Sequence, residues 1–290
     1  MITKVFVPLD GSQIAEQVLP YARLIGEIAN VPVGLLSVDD AANSSEDNNA
    51  RDYLEMVARQ FPATLKVELT VEHGNPAEVI VKRAQREPGS LIAMATHGSS
   101  GIKRWLLGSV ASKVIQAAEN PLLIVRAAGR AEAKSEARFE SIIVPLDGSE
   151  LAESVLPTVF EFAKATKAEI VLARAYQVPA TAYYRADDTE GVEAFIPSYE
   201  ELVAVESREA REYLDAKAKE VRAQGVARVS AELLAGPAAE QIIDLGRHRT
   251  GALIALATHG RSGVSRWVLG SVAEKVVRRA ENPVLLLRAR

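Results

Sequence analysis

The sequence predicts two tandem doubly wound α/β domains, each a five-stranded parallel sheet with helices on both faces. Three observations predict this. KVFVPLDGSQIAEQVLP (Lys4 to Pro20) returns as SIIVPLDGSELAESVLP (Ser141 to Pro157), 137 positions later. ATHGSSGIKRWLLGS (Ala95 to Ser109) returns as ATHGRSGVSRWVLGS (Ala257 to Ser271), 162 positions later, with eleven of fifteen positions identical. Between these blocks, short β-branched runs alternate with amphipathic stretches, as strands joined by crossover helices do. A repeat near half the chain length means duplicated domains, since solenoid periods run to roughly 20–50 residues. HGNPAEVIVKRA from His73 returns loosely as AGPAAEQIIDLG from Ala235 at the second shift, which places 25 additional residues in the second half between the first block and the later ones.

The elements follow in order. KVFVPL is a strand stopped by Asp10-Gly11-Ser12, where Ser12 can cap the next helix. From Gln13 to about Asn30 apolar residues recur at Ile14, Val18, Leu19, Ala22 and Ile25, a helical period that Pro20 must kink or break. VPVGLLSV is the second strand, SSEDNN (Ser44 to Asn49) a polar loop, and Arg51 to Gln60 a helix. TLKVELTVEHG alternates like a half-exposed strand. Pro76 to Gln85 is a helix, SLIAMAT a buried strand, Ser109 to Ala118 a helix and PLLIVR the last strand. Such crossovers make the strands parallel and the connections right-handed. AAGRAEAKSEARF (Ala127 to Phe139) has linker composition, with enough Ala, Glu and Lys for a short helix. The domains are therefore placed at 1–128 and 140–290. In the second half Glu200 to Gln224 reads as a charged amphipathic surface helix. The tyrosine-bearing insertion, Tyr176 to Tyr199, is a candidate lid or partner surface.

Composition narrows the function. The 290 residues are 48% hydrophobic and 25% charged, enough for full cores. A net charge of −4 gives no basis for general nucleic-acid binding. With no cysteine there is no disulfide framework, thiolate metal site or cysteine nucleophile. MITKVFVPLDGS is a strand and turn rather than a signal-peptide core. No apolar run reaches the ~20 residues of a membrane span, so the expected location is cytoplasmic, with no membrane partner.

In doubly wound sheets, ligands bind beyond the carboxyl ends of the strands, where the strand order reverses. If strands one and four are neighbours, Asp10-Gly11-Ser12 and the loop from Thr96 to Gly108 meet there. A Gly-Ser pair at a helix start offers free amides, a hydroxyl and the positive end of the helix dipole, which suits phosphate. Glycine at 98, 101 and 108 is expected to supply positive φ and close backbone approach. Asp10 can accept hydrogen bonds from ribose hydroxyls. Spacing alone does not separate this reading from a tight turn that uses glycine for geometry. Neither GxxxxGK[ST] nor GxGxxG occurs, which sets aside the P-loop and dinucleotide routes.

The combination V-P-L-D-G-S, G-x-P-A before the third helix, and T-H-G-x9-G-S followed by N-P and an apolar strand resembles the universal stress protein family, in both halves. The resemblance implies an adenine-nucleotide site built on G-x2-G-x9-G-[S/T]. In the first half the family glycines fall on Ala95, Gly98 and Gly108, with Ser109 as the hydroxyl residue and Val110 after it. In the second they fall on Ala257, Gly260 and Gly270, with Ser271 and Val272. Alanine at the first position is a departure from the family pattern. Asp10 and Asp147 match the family carboxylate after strand one, and Val38 and Ala175 match the position whose backbone faces the adenine edge.

The implied cofactor is ATP, alone or with Mg²⁺, in a stress-response or signalling module. An ATP-using enzyme of a related fold and a ligand-free scaffold are the alternatives. No catalytic base or second substrate pocket is evident, and no catalytic or metal-ligating residue is assigned. His97 and His259 lack carboxylate partners in sequence and read as structural. Arg104-Trp105 and Arg266-Trp267 read as packing rather than a nucleotide clamp. Family members commonly pair the last strands of two subunits. The tandem chain is expected to do so internally, as a pseudo-dimer with Leu123, Val125, Leu285 and Leu287 in or beside the seam. A homodimer of the whole chain is a further possibility, and no protein partner is named by the sequence.

Overall fold

The computed structural model describes residues 2–39, 44–96, 107–126, 136–176, 199–258 and 269–288. In the first half the strands are β1 (Lys4–Leu9), β2 (Val33–Asp39), β3 (Val67–His73), β4 (Ser90–Ala95) and β5 (Leu122–Val125). Its helices are α1 (Leu19–Ala29), α2 (Ser44–Ala58), α3 (Pro76–Gln85) and α4 (Ser109–Ala117). In the second half the strands are β6 (Ser141–Pro145), β7 (Glu169–Tyr176), β8 (Val229–Ala235), β9 (Ala252–Thr258) and β10 (Val284–Arg288). Its helices are the single turn α5 (Glu150–Glu153), then α6 (Leu156–Thr166), α7 (Tyr199–Ala223), α8 (Ala238–Arg247) and α9 (Ser271–Arg279).

All ten strands form one sheet, ordered β3-β2-β1-β4-β5-β10-β9-β6-β7-β8. Within each half every pairing is parallel, and β1 and β4 are neighbours. The halves meet where β5 pairs antiparallel with β10, Leu123 opposite Leu285 and Leu122 opposite Leu286. Leu123, Leu285, Val125 and Leu287 are all buried, the first two in the pairing and the others beside it. Two apolar layers cover the sheet, and each runs through both halves. One packs α1, α2, α6 and α7 over side chains such as Val7, Leu35, Ile142 and Leu285. The other packs α3, α4, α8 and α9 over Leu36, Ile92, Ile143 and Leu286. Tyr21 of α1 stacks on Phe139 ahead of β6, with ring centroids 5.8 Å apart.

Local chemistry sets the element ends. Pro20 breaks the helical run from Gln13: a 3-10 turn spans Ala15–Val18, and α1 starts at Leu19 with the proline in its first turn. That position has no helical acceptor for the amide proline lacks. SSEDNN is not a loop, because α2 begins at Ser44 and absorbs it. Phe139, read as the end of the linker, belongs to the core. Among the described residues no helix is long and apolar enough to cross a membrane.

Candidate functional site

Strand order reverses between β1 and β4, so a crevice opens there at their carboxyl ends. A cavity of about 240 Å³ occupies it. Asp10 at the end of β1, Leu36 and Val38 of β2, Met94, Ala95 and Thr96 at the end of β4, Pro76 and Ile80 of α3, and Gly108 to Ala111 at the start of α4 all line it. Of the sequence-derived residues of the first half, Asp10, Val38, Ala95, Gly108, Ser109 and Val110 therefore share one cavity. Gly98 and Gly260 lie outside the described residues, as do His97, His259, the two Arg-Trp pairs and the insertion from 177 to 198.

The turn after β1 is built by its own side chains. The Ser12 amide and hydroxyl donate to Asp10 Oδ1 at 3.1 and 2.6 Å, and the Ser12 hydroxyl accepts from the Ala15 amide at 3.1 Å. Gly11 sits at φ +79, which a residue with a Cβ adopts only with strain. The second half repeats the device. The Ser149 amide and hydroxyl donate to Asp147 Oδ1 at 2.9 and 2.6 Å, and Gly148 has φ +91. Burial acts to raise the Asp147 carboxyl, but the Ser149 hydroxyl and amide, its own backbone amide and the Arg174 charge outweigh burial and hold it below the usual carboxylate range. Each carboxylate is thus held at the sheet's carboxyl edge.

Opposite the turn, α4 begins at Gly108 with no side-chain cap. Its first helical bond is from the Ser112 amide to the Gly108 carbonyl, so the amides of Ser109, Val110 and Ala111 precede the helical ladder. By contrast, α3 has Asn75 and α5 has Ser149 as capping side chains. Ser109 is exposed, and the Gly108 amide donates to the Thr96 carbonyl at 2.8 Å, pinching the base of the loop. In the second half α9 begins identically: Gly270 is uncapped, Ser271 is exposed, and the Glu274 amide bonds the Gly270 carbonyl at 2.9 Å.

The glycines before these helices are not there for positive φ. Gly108 has φ −58 and Gly270 φ −57, values open to any residue. Nor does packing demand glycine, since among the described residues no atom lies within 4 Å of a Cβ built on Gly270. At Gly270 the described residues leave clear space in front of uncapped amides, which fits close approach by an anionic group.

Second-half counterparts of the cavity wall follow from strand register. Ala173, Ala175, Leu256 and Ala257 take the places of Leu36, Val38, Met94 and Ala95. Ala175 and Ala257 are partly buried at the ends of β7 and β9, and Val272 packs on the second apolar layer. On the other face stand residues that none of the sequence motifs marks. The Tyr53 hydroxyl donates to Glu16 at 3.1 Å and that of Tyr213 to Glu153 at 2.6 Å, tying α2 and α7 to the segments that follow the two carboxylate turns. Burial first, then the Glu16 and Asp10 charges, pushes the Tyr53 phenol up; burial and Glu153 do the same for Tyr213, against Arg174. Both stay protonated donors. A signal was present: RDYLEMVARQF (Arg51 to Phe61) returns as REYLDAKAKEV (Arg211 to Val221). Arg174, in the register position of Ser37, lies 4.6 Å over the Tyr213 ring and has no first-half counterpart.

The profile described as "Universal stress protein family" matches residues 1–126 and 138–288. The chain belongs to that family. The crystal structure of a universal stress protein from Archaeoglobus fulgidus DSM 4304 superposes with a TM-score of 0.73 over 98% of both chains at 22% identity, a likeness of fold. Universal stress protein Rv2005c of Mycobacterium tuberculosis is 23% identical over 272 residues, 93% of this chain and 81% of its own. Universal stress protein MJ0531 of Methanocaldococcus jannaschii is 27% identical over 150 residues, 52% of this chain and 82% of its own. Both halves thus carry the family fold, and the tandem arrangement suits an internal pseudo-dimer.

Proposed function

We propose that the chain is an adenine-nucleotide-binding stress or signalling module of the cytoplasm, with one ATP site per half. The supporting observation is the first-half cavity, which joins a fixed carboxylate to an uncapped helix start across the switch point of the sheet. In this reading Asp10 accepts from ribose hydroxyls. The apolar wall of Leu36, Val38, Ile80 and Met94 takes the base, with the Val38 backbone at its edge. Gly98, Gly108, Ser109 and Val110 hold phosphate through amides, a hydroxyl and the dipole of α4, and Ala95 closes the floor. A cavity of about 240 Å³ suits base and sugar, so the phosphates extend past Gly108 towards solvent. In the second half Asp147, Ala175, Ala257, Gly260, Gly270, Ser271 and Val272 take the same parts. Mg²⁺, where it takes part, arrives with the triphosphate. Occupancy then biases conformation or partner choice, and turnover is not required.

Isothermal titration of the whole chain with ATP and Mg²⁺ tests the reading. The expected result is one or two sites of micromolar affinity, about −8 kcal/mol. Asp10→Ala combined with Asp147→Ala should weaken them by about 1.5–3 kcal/mol, the range for a hydrogen bond to a charged group. Absence of heat and of any thermal shift at millimolar ATP would remove it.

A further inference from the structure

We propose that each half's nucleotide site is positioned by the other half, through two arginines that cross the β5–β10 seam. The inference rests on the nucleotide reading above and adds the residues that hold its phosphate helices in place. PLLIVR and PVLLLR end their domains on arginine, Arg126 and Arg288, 162 positions apart like the loops they follow. Because β5 and β10 run antiparallel, each strand end is carried towards the helix of the opposite half. Arg288 donates from Nε to the Ala118 carbonyl at 3.0 Å and from Nη2 to the Ile115 carbonyl, both at the carboxyl end of α4. Arg126 donates from Nη1 to the Arg279 carbonyl at 2.9 Å, at the carboxyl end of α9. Two diverged copies of the domain thus send the same arginine across the seam to the same helix end, though to different carbonyls.

The helices they grip are the ones whose other ends face the proposed phosphates. Each spans nine residues, about 13 Å of rigid rod. At the amino end the amides of Ser109 to Ala111, or of Ser271 to Ala273, await an anion. At the carboxyl end the last carbonyls lack helical partners. A cation there satisfies those carbonyls and complements the negative pole of the dipole, whose positive pole serves the ligand. The grip therefore fixes the axis along which the amides point. Arg288 donates to the end of α4 from a part-buried position, and Arg126 donates to the end of α9 from an exposed one.

A general loosening of the seam would weaken both sites together, since they share it. Positioning predicts a crossed pattern. The test uses the full chain with one site blocked, Gly270→Val leaving the first-half site and Gly108→Val leaving the second. ATP affinity and thermal midpoint are measured with and without each arginine. Arg288→Ala should weaken the first-half site by about two- to five-fold, the range for a charge at a helix end, and leave the second-half site unchanged. Arg126→Ala should weaken only the second-half site, by about two-fold on the same scale. Arg288→Lys, which keeps the charge and loses the paired bonds, should recover part of the first-half loss. Equal losses at both sites, a loss in the arginine's own half, or no change in any variant overturns the proposal. If the unaltered chain binds no ATP, the nucleotide reading fails and takes this inference with it, before any arginine is replaced. If Arg288→Ala proves unstable, Arg288→Lys and Arg126→Ala must still give the crossed pattern.

Discussion

Lys4 stands on β1, yet its ammonium lies 2.6 Å from Glu68 on β3, two strands away. The reach depends on Gly34 of the intervening β2, where an added Cβ would come within 2.8 Å of Lys4 Cε. Lys4 also pairs with Glu87 at 3.1 Å and lies 4.7 Å over the Phe6 ring. Lys66 meets Glu68 at 2.6 Å from the other side. These hydrogen bonds and charges bring the Glu68 carboxyl from 4.5 down to about 2, against the opposing effect of burial. A folded pKa below the unfolded one means stability that is complete above the unfolded value and lost as pH falls from about 4.5 through about 2. Glu68→Gln should therefore flatten the acid limb of a urea-midpoint profile across that window. Gly34→Ala, by displacing Lys4, should flatten it too and also cost about 1–3 kcal/mol at neutral pH from overpacking. An acid limb as steep as the unaltered chain's in both variants would show that the pair does not carry this dependence. This network sits at the amino ends of the strands and the cavity at their carboxyl ends, so its loss should leave nucleotide affinity intact.

Among the described helices α1, α4, α6, α8 and α9 begin without a capping side chain, and of these α4 and α9 begin on glycine. At α3 the Asn75 side chain accepts from the Glu78 amide, an investment in stability. The glycine starts of α4 and α9 lack that bond; φ explains neither, and among the described residues nothing lies within 4 Å of a Cβ added at Gly270. Gly270→Val should accordingly cost about 1 kcal/mol or less, a few degrees of thermal midpoint, since glycine is a better N-cap than a branched residue. The same change should abolish binding at the second half, because the branched side chain fills the space before the amides of Ser271 to Ala273. A large drop in midpoint, or retained two-site stoichiometry, would mean the glycine serves the fold instead. The repeated loop was legible in sequence because its spacing links a strand end to a helix start. At Gly108 the positive φ expected there is absent, φ being −58: sequence marks where a Cβ is missing, and only φ and neighbours tell why. The cavity's apolar wall was not legible, since Leu36, Ile80 and Met94 look like any core residue until the sheet order sets them around one crevice. SSEDNN was misread for a related reason. Its polar residues carry no apolar period, although the apolar residues that dock α2, Leu54 and Val57, lie further along the same helix.

At the scale of the molecule, duplication removes two sheet edges. β5 is LLIV and β10 is VLLLR, and apart from the terminal arginine every residue of both is buried. Unpaired, such strands would present backbone donors and acceptors beside apolar side chains, a template for aggregation. Joined, they are interior strands of a ten-stranded sheet, and both apolar layers run across the join. The outer edges are of another kind. β3 and β8 are only partly buried and carry Glu68, Glu72 and Glu232. Lys66–Glu68, Arg83–Glu72 and Arg249–Glu232 pairs dress them with charge, which discourages strand addition. The seam was foreseeable from the apolar last strands, whereas the arginines that lock it were not, because a terminal arginine in sequence does not reveal the helix end it will meet. Expressing residues 1–128 alone exposes β5 and removes Arg288 from α4 at once. The expected product is a homodimer that rebuilds the antiparallel pairing with a second copy of β5, or an aggregate, in light scattering and size exclusion. A dimer would place Arg126 of each copy at the α4 carboxyl end of the other, restoring the crossed grip in symmetric form. A stable monomer with native-like α4 amide protection would show that neither the seam nor the grip is needed, and that the two halves are joined only by the chain.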